Sequence, residues 1–433
     1  MKNNLFYFAL AVLLLITNQS GAAGLQANVA TINITPPLEM KYTLGGYGER
    51  MNKPATAVHD PIFAKALVVK KDNTKFAIVT LDILGLPTNV KVDLMKRLSK
   101  EGWSAENIML LPSHSHGSLE MAAINSKNKL NSPQIGIFQP ELLEFLLMQL
   151  ETLIKSADQN YQSVKIGTAS QQIEGLNRNR RKDPDVDRDM TVTRVDLENG
   201  KPLAVLVNWT AHPTFIGGKD MQVSAEWPGY LQSELQKMIG NNVTTMYYNG
   251  AEGDQSPVLD ASGDAYTKIQ IYGKQVAEKA FGIYKTIKPK VVKIFNFQYQ
   301  TIVLPEHQAH PSFMKTGGEE YGLNEQTVKV VMNMLAPVKV GISAVRIGNL
   351  VIVGVPGEMT AVLGKQVKTN LKNAGAKCVT IGGLANEWIS YILDKEQYLH
   401  GEGYESSVSF FGPDLGQLMV DKVTQTAKPL VTK

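Results

Sequence analysis

Apolar and polar positions along this chain repeat with two different periods, which predicts that strands and helices alternate. Short runs rich in apolar and β-branched residues, such as Phe76–Leu81 and Leu203–Val207, predict strands. Asn89–Lys100 and Pro140–Ser156 carry apolar residues at helical spacing, and Pro140 suits the first turn of a helix. The pattern therefore predicts an α/β protein with mixed β-sheets flanked by helices.

The same criteria predict the remaining elements. Further strands are predicted at Ala27–Ile34, Phe63–Val69, Gln162–Ala169, Thr191–Asp196, Val243–Tyr248, Lys290–Leu304 and Val379–Ile381, and further helices at Tyr230–Ile239, Tyr266–Tyr284 and Thr360–Leu371. Gly341–Ile347 and Leu350–Val355 predict a β-hairpin that turns at Gly348-Asn349. Pro305–Gly322 is irregular, and we expect a surface loop or lid there.

Composition narrows the classes of protein to which the chain can belong. It has 433 residues, of which 43% are hydrophobic, so it can bury a large core. The formal net charge is +4, and the Lys and Arg residues are scattered, which argues against a nucleic-acid partner. Cys378 is the single cysteine, so an internal disulfide and a cysteine-based zinc site are both excluded. No obligate protein partner is indicated.

The first 23 residues have the features of a signal peptide. Lys2 precedes the apolar stretch Leu5–Ile16, and the small residues Ser20–Ala23 follow it. This apolar stretch is too short to cross a bilayer, which takes about 20 residues. A retained membrane anchor is the alternative reading. We expect cleavage near Ala23 and a secreted or periplasmic catalytic domain that comprises residues 24–433.

Several possible metal ligands come after predicted strands. His114, His212 and Glu358 each follow an apolar run closely, and Tyr391 lies beyond another. Ligands at the carboxyl ends of several strands are how an α/β sheet assembles one site from distant segments. Two imidazoles and a carboxylate suit Zn²⁺, which with an open position is a centre for hydrolysis. The alternatives are a buried His212 bonded to backbone and a Glu358 that stabilises the start of the next helix.

His116 lies two residues after His114. In an extended chain two such side chains point to the same face and can enter one cavity together. One can then bind metal while the other acts as acid or base towards a substrate. The alternative is a hydrogen-bonded pair without a catalytic role.

Ser256 lies in the segment Gly253-Asp254-Gln255-Ser256-Pro257, which follows a predicted strand. Glycines permit a sharp turn here, and small polar residues let backbone N–H groups face a ligand. Ser256 could be a nucleophile, a hydrogen-bonding partner of the substrate, or simply part of a turn. The chain has no G-x-S-x-G motif, so the usual serine mechanism of α/β-hydrolases has little support.

A series of short motifs occurs in one order along almost all of residues 24–433. They are Asn33–Pro37 with Gly45–Gly48, His59–Ala66, Ser113–Gly117, Asn177–Arg180 with Asp187–Met190, Trp209–Thr214, Gly253–Pro257, Pro356–Thr360, and Tyr391 with Tyr404–Ser407 and Gly412-Pro413. In this series the chain resembles the catalytic domain of the neutral/alkaline (non-lysosomal) ceramidases, zinc amidases that cut the N-acyl bond of ceramide. Several motifs in order are far more specific than any one of them.

The resemblance implies the roles of eight residues in one site. It assigns as zinc ligands His114, His212, Glu358 and Tyr391, and as catalytic residues His116, Arg180, Ser256 and Tyr404. In the family the second histidine moves protons, while the serine has been read both as nucleophile and as substrate-binding hydroxyl. Neighbouring Arg178 and Arg181 leave the register of Arg180 open. Tyr404 lies one residue farther from Tyr391 than in the family pattern.

Three departures from the family pattern bear on the substrate. Gly117–Glu120 stands where the family has a run rich in glycine and proline after the second histidine. Phe411 stands where a tyrosine commonly precedes Gly-Pro. The chain also ends soon after Pro413, so we expect the immunoglobulin-like C-terminal domain of the family to be absent.

The resemblance implies a secreted, zinc-dependent amidase that splits ceramide or a related N-acyl lipid into a fatty acid and a sphingoid base. Its partners would be a small-molecule N-acyl lipid and, transiently, a membrane surface. The alternatives are the same chemistry on an N-acyl sugar or amino acid, a serine hydrolase with a structural zinc, and a non-catalytic lipid-binding protein. A long apolar groove leading to the zinc would favour a lipid, whereas a short polar pocket would favour a sugar.

Overall fold

The computed structural model describes residues 24–400 and 403–432. The predicted signal peptide, residues 1–23, lies outside the described residues. The strands of the described residues are β1 (Gln26–Asn33), β2 (Ala57–Val58), β3 (Phe63–Lys71), β4 (Thr74–Leu81), β5 (Ile108–Pro112), β6 (Gln162–Gln172), β7 (Asn177–Asn179), β8 (Asp189–Leu197), β9 (Pro202–Trp209), β10 (Gln222–Val223), β11 (Thr244–Asn249), β12 (Gln255–Pro257), β13 (Lys290–Val291), β14 (Phe295–Val303), β15 (Lys339–Ile347), β16 (Leu350–Gly354), β17 (Glu358–Met359), β18 (Cys378–Gly382) and β19 (Tyr391–Ile392).

Helices connect these strands and cover the sheets. They are α1 (Thr88–Leu98), α2 (Pro140–Ala157), α3 (Glu226–Ile239), α4 (Ala265–Thr286), α5 (Gly317–Tyr321), α6 (Glu325–Leu335), α7 (Ala361–Asn373), α8 (Lys395–His400), α9 (Tyr404–Ser407) and α10 (Leu415–Val431). Short 3₁₀ turns include Gly48–Arg50 and Phe313–Lys315. Among the helices described here, none combines the length and the apolar character needed to cross a membrane.

Two sheets form the centre of the fold. The larger has nine strands in the order β11-β9-β8-β6-β1-β3-β4-β5, with β13 also paired to β6, and the smaller has the order β14-β15-β16-β18. Both are mixed, since β4–β5, β9–β11 and β16–β18 are parallel pairs and the other pairs are antiparallel. The two ends of the larger sheet approach each other: β11, at one end, packs against β4 and β5, at the other.

The core follows from the alternation of side chains along these strands. One buried cluster lies between the two sheets and combines Phe76 and Met109 of the larger sheet with Ile352 of the smaller. Other clusters lie between sheets and helices, where α2, α3 and α10 bury their apolar faces. The sheets and the helices are therefore held by continuous apolar contact, which stabilises the layers against each other.

The predicted α/β class with mixed sheets is confirmed. The hairpin turn is also confirmed, with Gly348 at a φ of 61° between β15 and β16. The sheet predicted at Lys290–Leu304 is confirmed, but it is divided into two strands, because β13 pairs with β6 while β14 pairs with β15 in the other sheet. The chain has to leave one sheet and enter the other between Val291 and Phe295, which local alternation does not reveal.

The region predicted as a loop or lid contains a 3₁₀ turn and the short helix α5. Phe313 in this region is buried, and α6 follows directly. Asn324 caps α6 by accepting the backbone N–H groups of Gln326 and Thr327, so this helix has a well-defined start. Neither α6 nor α10 was predicted from periodicity. Both helices cover a sheet or a cavity that distant segments create.

Candidate metal centre and catalytic site

Three of the predicted metal ligands meet at the carboxyl ends of strands. His114 follows β5, His212 follows β9, and Glu358 begins β17 just after β16. All three side chains are buried, and one ligand atom from each lies within 4.8 Å of the other two. Tyr391 is brought beside them by the parallel pairing of Glu358 with Tyr391. Four segments that are far apart in sequence therefore reach one point.

The backbone is strained next to this point. His114 has a φ of 71°, and Ser390, directly before Tyr391, has a φ of 83°. Residues other than glycine rarely adopt this left-handed conformation, and it persists where the surrounding structure enforces it, often at functional sites. The expectation of an extended chain through the His-Ser-His segment is wrong. The rings of His114 and His116 converge at 4.9 Å, but a left-handed turn aims them rather than strand alternation.

Backbone carbonyls fix which nitrogen of each histidine faces the centre. Nδ1 of His114 donates to the Leu84 carbonyl at 2.7 Å, and Nδ1 of His212 donates to the Gln255 carbonyl at 3.2 Å. Their Nε2 atoms lie 3.4 and 3.0 Å from the same Glu358 oxygen, Oε2. Two Nε2 lone pairs and a carboxylate, each oriented by a second hydrogen bond, are a donor set that fits Zn²⁺.

The other oxygen of Glu358 is held by an indole. Trp388 Nε1 donates to Glu358 Oε1 at 2.8 Å, so Oε2 alone is directed at the two histidines. Burial opposes ionisation of this carboxyl, but its hydrogen bonds and charge interactions with His114 and His212 hold the pKa of Glu358 well below its ordinary value. Burial, reinforced by Arg180, lowers the pKa of His212 to about 4. The two lowered pKa values favour a neutral His212 and an ionised Glu358, the forms in which these side chains bind a metal.

Arg180 and Tyr391 are hydrogen-bonded to each other. One terminal nitrogen of Arg180 donates to the Tyr391 hydroxyl and to the Gly253 carbonyl, both at 3.0 Å, and Nε donates to Glu405. Arg178 is exposed and Arg181 binds Glu405 and Ser406 instead, so among the three arginines it is Arg180 that reaches the predicted ligands. Glu405 thus fixes the guanidinium that orients the phenol.

His116 lines the same cavity, beside the ligand set. Its backbone N–H donates to Glu226 at 2.7 Å and its carbonyl accepts from Arg50, which fixes the backbone. Gly46 is required here, because a Cβ at this position would lie 2.2 Å from Nδ1 of the ring. Both ring nitrogens are buried and lack a hydrogen-bond partner among the described residues. Burial, with the nearby histidines His114 and His212, lowers the pKa of His116 well below its ordinary value.

The remaining two predicted residues differ in position. Tyr404 lines the cavity, and its ring lies edge-on to that of Tyr391 at 6.0 Å. Ser256 lies in β12, paired with Arg178 of β7, and does not line this cavity in the part of the chain that the structure describes. The structure therefore brings together seven of the eight residues, and Ser256 stands apart. Their catalytic and ligand roles remain predictions.

The cavity at this centre has a volume of about 870 Å³. The three histidines and Glu358 are among the residues that line it, and its wall is mostly apolar. The apolar part of the wall comes from several segments and includes Leu84, Met121, Ile135, Phe313, Leu323, Val328, Val331, Met332, Leu335 and Phe410. This is the size of a ligand pocket, and its wall is suited to a hydrocarbon.

Other residues of the site were not identified from the sequence. Trp388 and Glu405 act on predicted residues through hydrogen bonds, and Glu320 and Tyr321 enter the cavity from α5. Glu252 is fully buried near Glu358, and neither of its carboxyl oxygens has a partner among the described residues. Burial, and then the charge of Glu358, raises the pKa of Glu252 well above its ordinary value. In the sequence, the available signal for Glu252 was an acidic residue within a glycine-rich segment that follows a predicted strand.

Comparisons with known proteins were consistent with this geometry. The sequence model of the neutral/alkaline non-lysosomal ceramidase N-terminal domain matches residues 27–265 and 323–420. The chain is 22% identical over 553 residues to the neutral ceramidase of Drosophila pseudoobscura pseudoobscura, covering 95% of this chain and 76% of that protein. It is also 22% identical over 546 residues to the neutral ceramidase of Drosophila melanogaster, covering 95% and 75%.

The fold agrees with a solved structure as well. The neutral ceramidase of Pseudomonas aeruginosa superposes with a TM-score of 0.82 at 18% identity, covering 95% of this chain and 75% of that one. A ceramidase complexed with C2 superposes with a TM-score of 0.79 at 18% identity, covering 94% and 75%. At this level of identity the superpositions show the fold. Residues 266–322, which contain α5, lie outside the residues that the family model matches.

Proposed function

This chain belongs to the neutral/alkaline non-lysosomal ceramidase family, and from that premise we propose that it is a zinc-dependent amidase acting on ceramide or a closely related N-acyl lipid. Its products would be a fatty acid and a free amine. The proposal includes export from the cytoplasm, for which the support is the signal-like sequence of residues 1–23.

The observation that carries the proposal is that the His114, His212 and Glu358 cluster lines a large, mostly apolar cavity. A sugar amide would need a short pocket with many polar groups, whereas the wall here is predominantly hydrocarbon. A non-catalytic lipid carrier would need no convergent histidines whose Nε2 atoms are aimed at one carboxylate. The combination supports a lipid amidase over both alternatives.

Zn²⁺ held by His114, His212, Glu358 and Tyr391 would polarise an amide carbonyl and lower the pKa of water to about 7. The protein supplies the remaining functions. Arg180 holds the phenolic oxygen of Tyr391 in place, and Glu405 holds Arg180. The apolar wall binds the hydrocarbon and excludes bulk water, which strengthens electrostatic interactions at the reacting carbonyl.

His116 is the residue placed to move protons. Its ring nitrogens have no partner among the described residues, so the neutral ring has a free lone pair that can accept a proton. In the hydrolysis, an oxygen from water bonds to the carbonyl carbon and the carbon–nitrogen bond breaks. A proton from that water passes through a ring nitrogen of His116 to the leaving amine nitrogen. The Tyr404 hydroxyl belongs to the lining of the same cavity and would stabilise the oxyanion by donating to it.

The test combines metal analysis with a substrate panel. Purified protein is assayed for zinc content and for hydrolysis of an N-acyl sphingoid base, an N-acyl hexosamine and an N-acyl amino acid with one common acyl chain. We expect about one zinc per chain, preference for the sphingoid amide, loss of activity on chelation and its return with Zn²⁺. Hydrolysis that persists after complete chelation would support a serine mechanism instead, and no hydrolysis of any amide would support a binding protein.

Export is tested separately. The full chain is expressed with a C-terminal tag, and the mature N-terminus and the compartment are determined by sequencing and fractionation. We expect cleavage near Ala23 and recovery outside the cytoplasm. A full-length chain in the membrane fraction would support a retained anchor.

A further inference from the structure

Two carboxyl groups line the cavity on the side of His116 and Tyr404, and neither belongs to the motifs shared with the family. Glu120 ends the segment that departs from the glycine-rich family pattern after His116. Glu320 belongs to α5, which lies within the residues that the family model does not match. These two residues are therefore candidates for a property of this chain that its relatives need not share.

Glu120 is held on the wall that carries His116. Its Oε1 accepts the Ala122 N–H at 3.0 Å, and its backbone N–H donates to the Thr43 carbonyl at 3.2 Å. Glu120 therefore packs against the Gly45-Gly46 segment, in which Gly46 contacts the His116 ring. These contacts place its carboxyl near the proton-transfer residue.

Glu320 lines the same cavity from α5. Its Oε1 accepts the Gly48 N–H at 3.2 Å, and its carboxyl lies close to the Tyr404 hydroxyl. The hydroxyls of Tyr321 and Tyr404 lie 3.5 Å apart, so α5 contributes both an acid and a phenol next to Tyr404. His116 lines the same cavity, and its two buried ring nitrogens, which have no partner among the described residues, indicate that a ligand completes their hydrogen bonds.

The cavity thus has two chemically different walls. The α6 side, with Val328, Val331 and Met332, offers only hydrocarbon, whereas the Glu120 and Glu320 side offers hydrogen-bond acceptors and negative charge. An ionised carboxylate accepts hydrogen bonds and donates none. A substrate whose carbonyl lies at the metal centre with its acyl chain along α6 would place its amine portion against the two carboxyls.

We propose that Glu120 and Glu320 form an acceptor subsite for hydroxyl groups on the amine portion of the substrate, which selects hydroxylated amines and rejects acidic ones. The inference rests on the proposed amidase function and specifies its substrate class. An alkylamine amide would leave the acceptors without donors, and an N-acyl amino acid would bring a third carboxylate next to two others. A site built to bond a hydroxyl discriminates strongly against an analogue that lacks it.

The test compares three amides that share one fluorescent acyl chain in the same detergent micelles at pH 8, where Glu120, whose pKa burial raises to about 7, is mostly ionised. Their amine portions are a sphingoid base, an alkylamine of equal length and glycine. The zinc-loaded wild type is compared with Glu320→Leu, which removes the acceptor, with Glu320→Gln and Glu120→Gln, which remove charge, and with Glu319→Leu as matched control. Glu319 is the exposed neighbour of Glu320 on α5. Zinc content and thermal midpoint establish that each variant is folded.

We expect the wild type and Glu319→Leu to favour the sphingoid amide over the alkylamine amide by at least about tenfold in kcat/KM. In Glu320→Leu this ratio should fall to within about threefold of unity. If Glu320→Leu also displaces Tyr404, the rates of hydrolysis of the sphingoid amide and of the alkylamine amide fall together. This effect therefore cancels in the ratio of their kcat/KM values. Glu320→Gln and Glu120→Gln should each raise the relative kcat/KM for the glycine amide.

The outcomes separate this inference from the proposed function. Hydrolysis of the sphingoid amide with the same substrate ratios in wild type and Glu320→Leu would overturn the subsite and leave the amidase function standing. Absence of hydrolysis of all three amides by the zinc-loaded wild type would overturn both. If Glu320→Leu does not fold, unchanged discrimination against the glycine amide in Glu320→Gln and Glu120→Gln would overturn the subsite.

Discussion

Replacement of His212 by alanine tests the ligand assignment most directly. His212 is 1% exposed, and its Nε2 lies 3.0 Å from Glu358 Oε2 while its Nδ1 is bonded to the Gln255 carbonyl. Zinc binding by four protein ligands releases roughly 10–16 kcal/mol, so one ligand accounts for about 3 kcal/mol. That corresponds to a loss of about a hundredfold or more in zinc affinity. Amidase activity at limiting zinc should be lost with the metal.

The assay is equilibrium zinc binding in a metal-buffered solution, followed by metal analysis of the dialysed protein. The matched control is His310→Ala, because His310 is also buried and bonds a backbone carbonyl, that of Tyr398, at 2.9 Å. His310 lies outside the ligand cluster, so we expect its replacement to leave zinc affinity within about threefold of wild type. Comparison of the metal-free thermal midpoints shows how far either variant is destabilised before zinc is added.

Zinc occupancy and affinity equal to wild type in His212→Ala would refute the ligand assignment. Equal loss of zinc in His310→Ala would show that loosening the fold, rather than removal of a ligand, governs metal binding. Only loss in the first variant with retention in the second agrees with the geometry of the His114, His212 and Glu358 cluster.

Three further predictions follow from the site. His116→Ala should keep its zinc and lose turnover by about 10²-fold or more, since this histidine moves protons and binds no metal. Loss of zinc from this variant would mean that His116, rather than His114, is the metal ligand. Ser256→Ala should lower activity, because Ser256 directly follows Gln255, whose carbonyl accepts from Nδ1 of His212. Mass spectrometry of rapidly quenched wild type should nevertheless find no acyl adduct on Ser256, since this residue is not among those that line the cavity in the described part of the chain; an adduct would show that Ser256, and not water, is the nucleophile. Burial raises the pKa of Glu120 from 4.5 to about 7, so the folded state binds this proton more tightly than the unfolded state does. As the pH rises from 4.5 to 7, the wild type therefore loses stability relative to Glu120→Gln. The thermal midpoints should differ least near pH 4.5 and most, in favour of the variant, above pH 7, and parallel curves would contradict this origin of the shift.

The sequence by itself determined the elements whose pattern is local. Leu203–Val207 is apolar at every position because β9 is covered on both faces, and Pro140 starts α2 because a first-turn residue needs no backbone donor. The order of motifs was also sufficient to identify the family, since it needs only the one-dimensional chain. Placement of His114, His212 and Glu358 after strands was predictable for the same reason.

The tertiary structure alone decided which residues share the cavity. The sequence gives no sign that Lys290–Leu304 divides between two sheets, or that α5 and α6 form a cavity wall, because these depend on contacts between distant segments. The resemblance assigned Arg180 but left its register against Arg178 and Arg181 open, and the structure shows that Arg180, directly after β7, is hydrogen-bonded to Tyr391. Periodicity records which face of an element is buried. The partner that buries it is set by long-range packing, which no single segment encodes.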